Sequence, residues 1–150
     1  MNRRIAGWAV AATLAILGGT TACSSEPTQV SVSAGASAAT APAAGAELDA
    51  EAFAAALKRA GTIVLDVRTP AEFAAGHLPG AVNIDVEAPD FGTRIAALDA
   101  SLPYAVYCRS GNRSGVALAA MAAAGFTSAY HLGGGIGAWQ AAGGEVVSGA

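Results

Sequence analysis

Beyond about residue 47, apolar positions fall into short continuous runs separated by stretches of helical spacing. "TIVLDVR", "GAVNI", "YAVYC" and "SAYHL" are compact, rich in β-branched and aromatic residues, and predict buried strands. Between them lie helical patterns. In "LDAEAFAAALKRAG", Asp49 can cap the start, Phe53 and Leu57 share a face, and Gly61 stops the pattern. "TPAEFAAG" offers Thr69 as N-cap and Pro70 at the first helical position. "DFGTRIAALDASL" is helical in part, "RSGVALAAMAAAG" runs as a helix to Gly125, and "IGAWQAAGG" closes the chain. Strands that alternate with helices and are apolar along their whole length predict an α/β fold. Its sheet is parallel and flanked by helices on both faces. In such sheets ligands bind at the carboxyl ends of the strands.

The first residues follow a different pattern. Arg3 and Arg4 precede an uncharged apolar stretch from Ile5 to Leu17, and small residues lead to Cys23. This is the layout of an export signal and is short for a membrane span, so residues 1–22 are set aside from the fold. "TTAC" resembles a bacterial lipoprotein cleavage site, which would make Cys23 a lipid anchor. Thr20 stands where that pattern usually has Leu, and the same stretch also suits an ordinary cleavage site. The expectation is an exported protein, anchored through Cys23 outside the cytoplasmic membrane, with soluble secretion and an uncleaved anchor as alternatives. Residues 23–46 are built from Ser, Ala, Gly, Thr and Pro and cannot bury enough surface to offset their ordering entropy. They read as a tether spanning about 25–30 Å, followed by one domain over residues 47–150.

Composition narrows the function. A net charge of −3 gives no electrostatic footprint for nucleic acid. There are two cysteines, and if Cys23 carries lipid then Cys108 is the only remaining thiol. Cys108, His77 and His131 have no zinc-ligand spacing. Each histidine lies in a Gly-rich segment suited to capping or hydrogen bonding, and nothing in the spacing brings either to Cys108.

Cys108 itself ends a strand, and "CRSGNRS" leads from it into a helix. A turn of Ser110, Gly111 and Asn112, with the helix starting near Arg113, would aim successive amides inward as an anion nest. The helix N-terminus adds partial positive charge, and Arg109 and Arg113 add full charges. Together these favour thiolate over thiol at Cys108. A buried inert thiol is the alternative, but two arginines and a glycine turn suit it poorly.

Three segments in order, "LDVRTPAEFAAGHLPGAVNI", "YCRSGNRS" and "LGGGIGAW", resemble the motifs of a rhodanese domain. The resemblance covers Leu65 to Gly144 and implies the rhodanese-like fold, with a central five-stranded parallel sheet. The fifth strand is then a short one, near the N-terminus or after Asn83. It implies a sulfurtransferase whose nucleophile is Cys108, with Arg109, Ser110, Gly111, Asn112 and Arg113 as the loop that holds substrate or persulfide. Asp66, Arg68 and Glu72 are implied as structural support, with Arg68 pairing Glu72 and Asp66 holding the strand end; Trp139 is expected in the core. The implied partners are a small anionic sulfur donor such as thiosulfate and an external thiol or other thiophilic acceptor. No metal or organic cofactor is implied. Related phosphatases use a loop one residue longer, and here Ser114 stands at their arginine position. A sulfur-carrier or protein-binding module without turnover is the alternative function.

Overall fold

The computed structural model describes residues 40–149. The expected signal segment, Cys23 and the tether before residue 40 lie outside the described residues. The elements are β1 (Glu47–Leu48), α1 (Ala50–Leu57), β2 (Ile63–Asp66), α2 (Pro70–Ala75), β3 (Val82–Asn83), α3 (Phe91–Ala96), β4 (Tyr104–Tyr107), α4 (Asn112–Ala123), β5 (Ala129–Leu132) and α5 (Gly135–Ala141). The five strands form one parallel sheet in the order β1-β5-β4-β2-β3. The strand that hydropathy did not resolve is β1, two residues long at the sheet edge beside β5. Gly45 already donates to the Ala129 carbonyl at 2.7 Å, so the chain joins the sheet edge just before it.

Local signals place the helices as expected. The Asp49 side chain accepts from the Ala52 amide at 2.8 Å, and Thr69 with Glu72 forms a reciprocal capping box in front of Pro70. Each face of the sheet carries its own core. Tyr104, Val106 and Cys108 point to one face, where Phe91 and Ile95 of α3 and Ala117, Leu118 and Met121 of α4 cover them. Ala105 and Tyr107 point to the other, against Phe53 of α1 and Ile136 of α5. The two-residue period of the strand thus aims Cys108 at the face that carries α4. Trp139 is half-buried rather than a core residue. Its ring meets Phe53 edge-on, and its indole N–H donates to the Glu145 carbonyl at 2.8 Å, which keeps one side of the ring at the surface.

Candidate active site

Cys108 leaves the carboxyl end of the central strand β4, and four residues later α4 begins at Asn112. The helix therefore starts one position earlier than expected. Gly111 takes a left-handed conformation in this turn, at φ 99°, and Asn112 is the first helical residue rather than part of the turn. Gly111 is needed twice over: for its positive φ, and because a Cβ there would lie 3.3 Å from the Gly134 amide.

The turn wraps around the sulfur. The Gly111 amide donates to Cys108 Sγ at 3.1 Å, and the Ser114 hydroxyl lies 3.5 Å from the same atom. Burial pushes the Cys108 thiol up. Hydrogen bonds from the Ser114 hydroxyl and from the Ser114, Ser110 and Gly111 amides outweigh burial and bring its pKa below the ordinary thiol value. The loop is held from behind by the Gly-rich turn at α5. Ile136 donates its amide to the Cys108 carbonyl at 2.9 Å.

The two arginines do not act on the sulfur as expected. Arg113 is turned away into a carboxylate clamp: Nη2 to Glu72 Oε1 at 2.7 Å, and Nη1 to Glu72 Oε2 at 2.8 Å and Glu87 Oε2 at 3.2 Å. Its charge is neutralised there, so amides and a hydroxyl lower the Cys108 pKa in place of guanidinium charge. Arg109 is exposed and, among the described residues, has no hydrogen-bond or ion-pair partner. It is the loop's available cation. Ser110 and Asn112 are exposed beside it.

The expected Arg68–Glu72 pair does not form. Arg68 sits against Asp66, with Nε 2.9 Å from Oδ1 and Nη2 2.5 Å from Oδ2, and Nη2 also donates to the Gly76 carbonyl at 2.6 Å. Asp66 and Arg68 are both buried, and the guanidinium lies over the Tyr107 ring, 5.5 Å from its centroid. The reason is positional. Arg68 follows the strand end, and the Asp66 carboxylate two residues back reaches it inside the fold, whereas Glu72 faces outward on α2 toward the loop. Asp66 therefore anchors Arg68, and Glu72 anchors Arg113.

His77 has the expected hydrogen-bonding role: its Nδ1 is 3.0 Å from the Phe73 carbonyl and its ring stacks on Phe73 at 3.7 Å. His131 does not stand apart from the cysteine. Its Nδ1 lies 3.0 Å from Ser114 Oγ, the same hydroxyl that faces Cys108. Sequence spacing gives no sign of this. The contact arises because β5 lies next to β4, with His131 opposite Val106. Arg68, Glu72, Gly76, Ile136 and Gln140 line a shallow polar depression that none of residues 108–113 borders.

Comparison with known proteins agrees with this geometry. Residues 49–142 match the rhodanese-like domain. The chain is 40% identical over 88 residues to the thiosulfate sulfurtransferase GlpE of Pseudomonas fluorescens, covering 58% of this chain and 78% of that one. It is 42% identical over 76 residues to the probable adenylyltransferase/sulfurtransferase MoeZ of Mycobacterium tuberculosis, covering 51% of this chain and 19% of that one. A crystal structure of a rhodanese-related protein from Thermoplasma volcanium superposes with a TM-score of 0.61 at 29% identity, covering 68% of this chain and 97% of that one.

Proposed function

The chain belongs to the rhodanese-like domain family, and on that premise we propose that it is a sulfurtransferase that carries sulfane sulfur as a persulfide on Cys108. The observation that carries this reading is the nest around Sγ: amide and hydroxyl donors converge on the sulfur at the start of α4, and they favour its anionic form. The Cys108 thiolate attacks the outer sulfur of a donor such as thiosulfate. A sulfur–sulfur bond forms, the bond to the sulfonate group breaks, and sulfite leaves with the electron pair. The loop amides then face the terminal sulfur of an anionic persulfide. A nucleophilic acceptor, cyanide in the laboratory, takes that sulfur and returns Cys108 as thiolate.

Arg109, the unpaired cation of the loop, is suited to hold the donor's sulfonate group. No second thiol is available for an internal resolving step if Cys23 carries lipid, so the acceptor comes from outside the chain. The reading is tested by incubating the full chain with thiosulfate and measuring the mass of the Cys108 peptide. One added sulfur atom, absent from Cys108→Ser, is the expected result; a peptide left unmodified by both thiosulfate and a protein persulfide overturns it.

One observation favours a second reading. Cys108 has no exposed surface, as suits a carrier whose loop opens only against a docked protein. Loading by a protein persulfide but not by free thiosulfate would select that reading. From residues 1–23 we also propose export and anchoring through Cys23. Partition of the expressed chain into detergent, lost in Cys23→Ser, is the expected result, and unchanged partition contradicts it.

A further inference from the structure

The contacts behind the Cys108 sulfur continue beyond the loop. Ser114 Oγ carries one proton and has three polar neighbours: Cys108 Sγ at 3.5 Å, the Gly111 carbonyl at 2.9 Å and His131 Nδ1 at 3.0 Å. Ser114 is fully buried. On the far side of the imidazole, His131 Nε2 lies 3.4 Å from Glu47 Oε2. The parallel register pairs Glu47 with His131 directly. Gly133, two residues further on, has no Cβ to push against the Glu47 side chain, whose Cγ would stand 3.0 Å from it. Sulfur, hydroxyl, ring and carboxylate thus form one line from the sheet interior to its edge.

We propose that His131 is a positioning residue that sets the ionisation of Cys108 through Ser114, with Glu47 holding the ring. The Cys108 thiol proton passes to Ser114 Oγ, and the hydroxyl's own proton passes to His131 Nδ1. One S–H bond breaks and one N–H bond forms, the hydroxyl exchanges one proton for another, and no electrons are transferred between groups. The imidazolium that results faces the Glu47 carboxylate, and the Ser114 hydroxyl now donates to the thiolate.

The ring chemistry makes Nδ1 the accepting atom. Glu47 beside Nε2 selects the tautomer with its proton there, which leaves Nδ1 to accept. Burial pushes the His131 pKa down and Glu47 lifts it, with the balance below the ordinary histidine value. A neutral ring is therefore available as acceptor near neutral pH. The charged or titratable groups that bear on it are Glu47 from β1 and, through Ser114, Cys108 at the end of β4. From α4 it meets Ser114 and Gly115, while Arg113 of that helix is bound to Glu72 and Glu87.

This inference rests on Cys108 working as a thiolate, as proposed above, and is indifferent to which group is transferred. The test is the ultraviolet absorbance of the thiolate as pH rises from about 4 to 10, a range that brackets free His and Cys. It is read on the full chain in a Cys23→Ser background, as the difference from the chain that also carries Cys108→Ser. His131→Asn keeps a polar group near Ser114 but cannot take up a proton. Its thiolate midpoint should rise by about one unit, a tenfold loss of thiolate on the rising limb. Glu47→Gln should move the midpoint the same way by less. A midpoint in His131→Asn that matches or lies below the parent overturns the proposal. If His131→Asn fails to fold, Glu47→Gln, altered at a surface side chain, decides alone: an unmoved midpoint overturns it. Loss of persulfide formation with these shifts intact would instead count against the sulfurtransferase reading.

Discussion

Glu72 and Arg113, 41 residues apart in the chain, form a two-pronged ion pair that ties α2 to the loop around Cys108. The Arg113 guanidinium, aided by Thr69, holds the Glu72 carboxyl at about 2 against an ordinary 4.5. A depressed carboxyl contributes stability that is fully present above its unfolded pKa and is lost as pH falls through its folded one. Glu72→Gln should therefore cost about 1–2 kcal/mol at neutral pH, after allowance for solvent screening at this half-buried pair. The gap from the parent chain should close as pH drops from 4.5 toward 2. Urea unfolding of both chains across that window checks it; a gap that is independent of pH contradicts it.

Gly135 takes φ +60°, and a Cβ there would stand 2.5 Å from the carbonyl oxygens of both Cys108 and Arg109. Gly135→Ala must displace the loop backbone. The positive φ costs about 1–2 kcal/mol and the overpacking about 1–3 kcal/mol. Sulfur transfer should fall more than about tenfold, since a shift of the loop amides removes donors from the sulfur. Assay and thermal unfolding of the variant check both effects.

Arg109 and Arg113 should respond differently to substitution. Arg109→Gln removes an exposed, unpaired cation. It should raise KM for thiosulfate about tenfold with little change in folding stability, and the remaining KM should depend less on salt. Arg113→Gln leaves Glu72 and Glu87 without their partner and should lower stability. Steady-state kinetics at two ionic strengths, together with unfolding curves, separate the two roles.

The Asp66–Arg68 pair is buried at both ends. Asp66→Ala leaves a guanidinium inside the fold with the Gly76 carbonyl and the Tyr107 ring as its remaining partners. The expected loss is about 3–5 kcal/mol. Urea unfolding reads it directly, and a loss under about 1 kcal/mol would show that the pair is not a structural anchor.

What could be read from the chain followed from local rules. The buried runs at Ile63–Asp66, Tyr104–Tyr107 and Ala129–Leu132 carry strand chemistry on their face, and Thr69-Pro70 announces a helix start. The turn after Cys108 is equally local, so the ring of amide donors around its sulfur was legible. β1 was not, because two residues carry no period and the strand exists only by pairing with β5. The partners of Arg68, Arg113 and His131 were not legible either. Spacing of four suggested Arg68 with Glu72, but three-dimensional placement gave each to a different residue. Ser114 could have been singled out by its place six residues beyond the cysteine, on the first turn of α4, facing back to the strand end. His131 had no such signal, since its neighbour is set by strand order alone.

The most direct measurement is thiocyanate release by the full chain from thiosulfate and cyanide, run beside Cys108→Ser. Turnover that disappears with the thiol is the predicted result. Equal release by both chains, or none by either while the Cys108 peptide also gains no sulfur from thiosulfate or from a protein persulfide, would contradict sulfur transfer through Cys108.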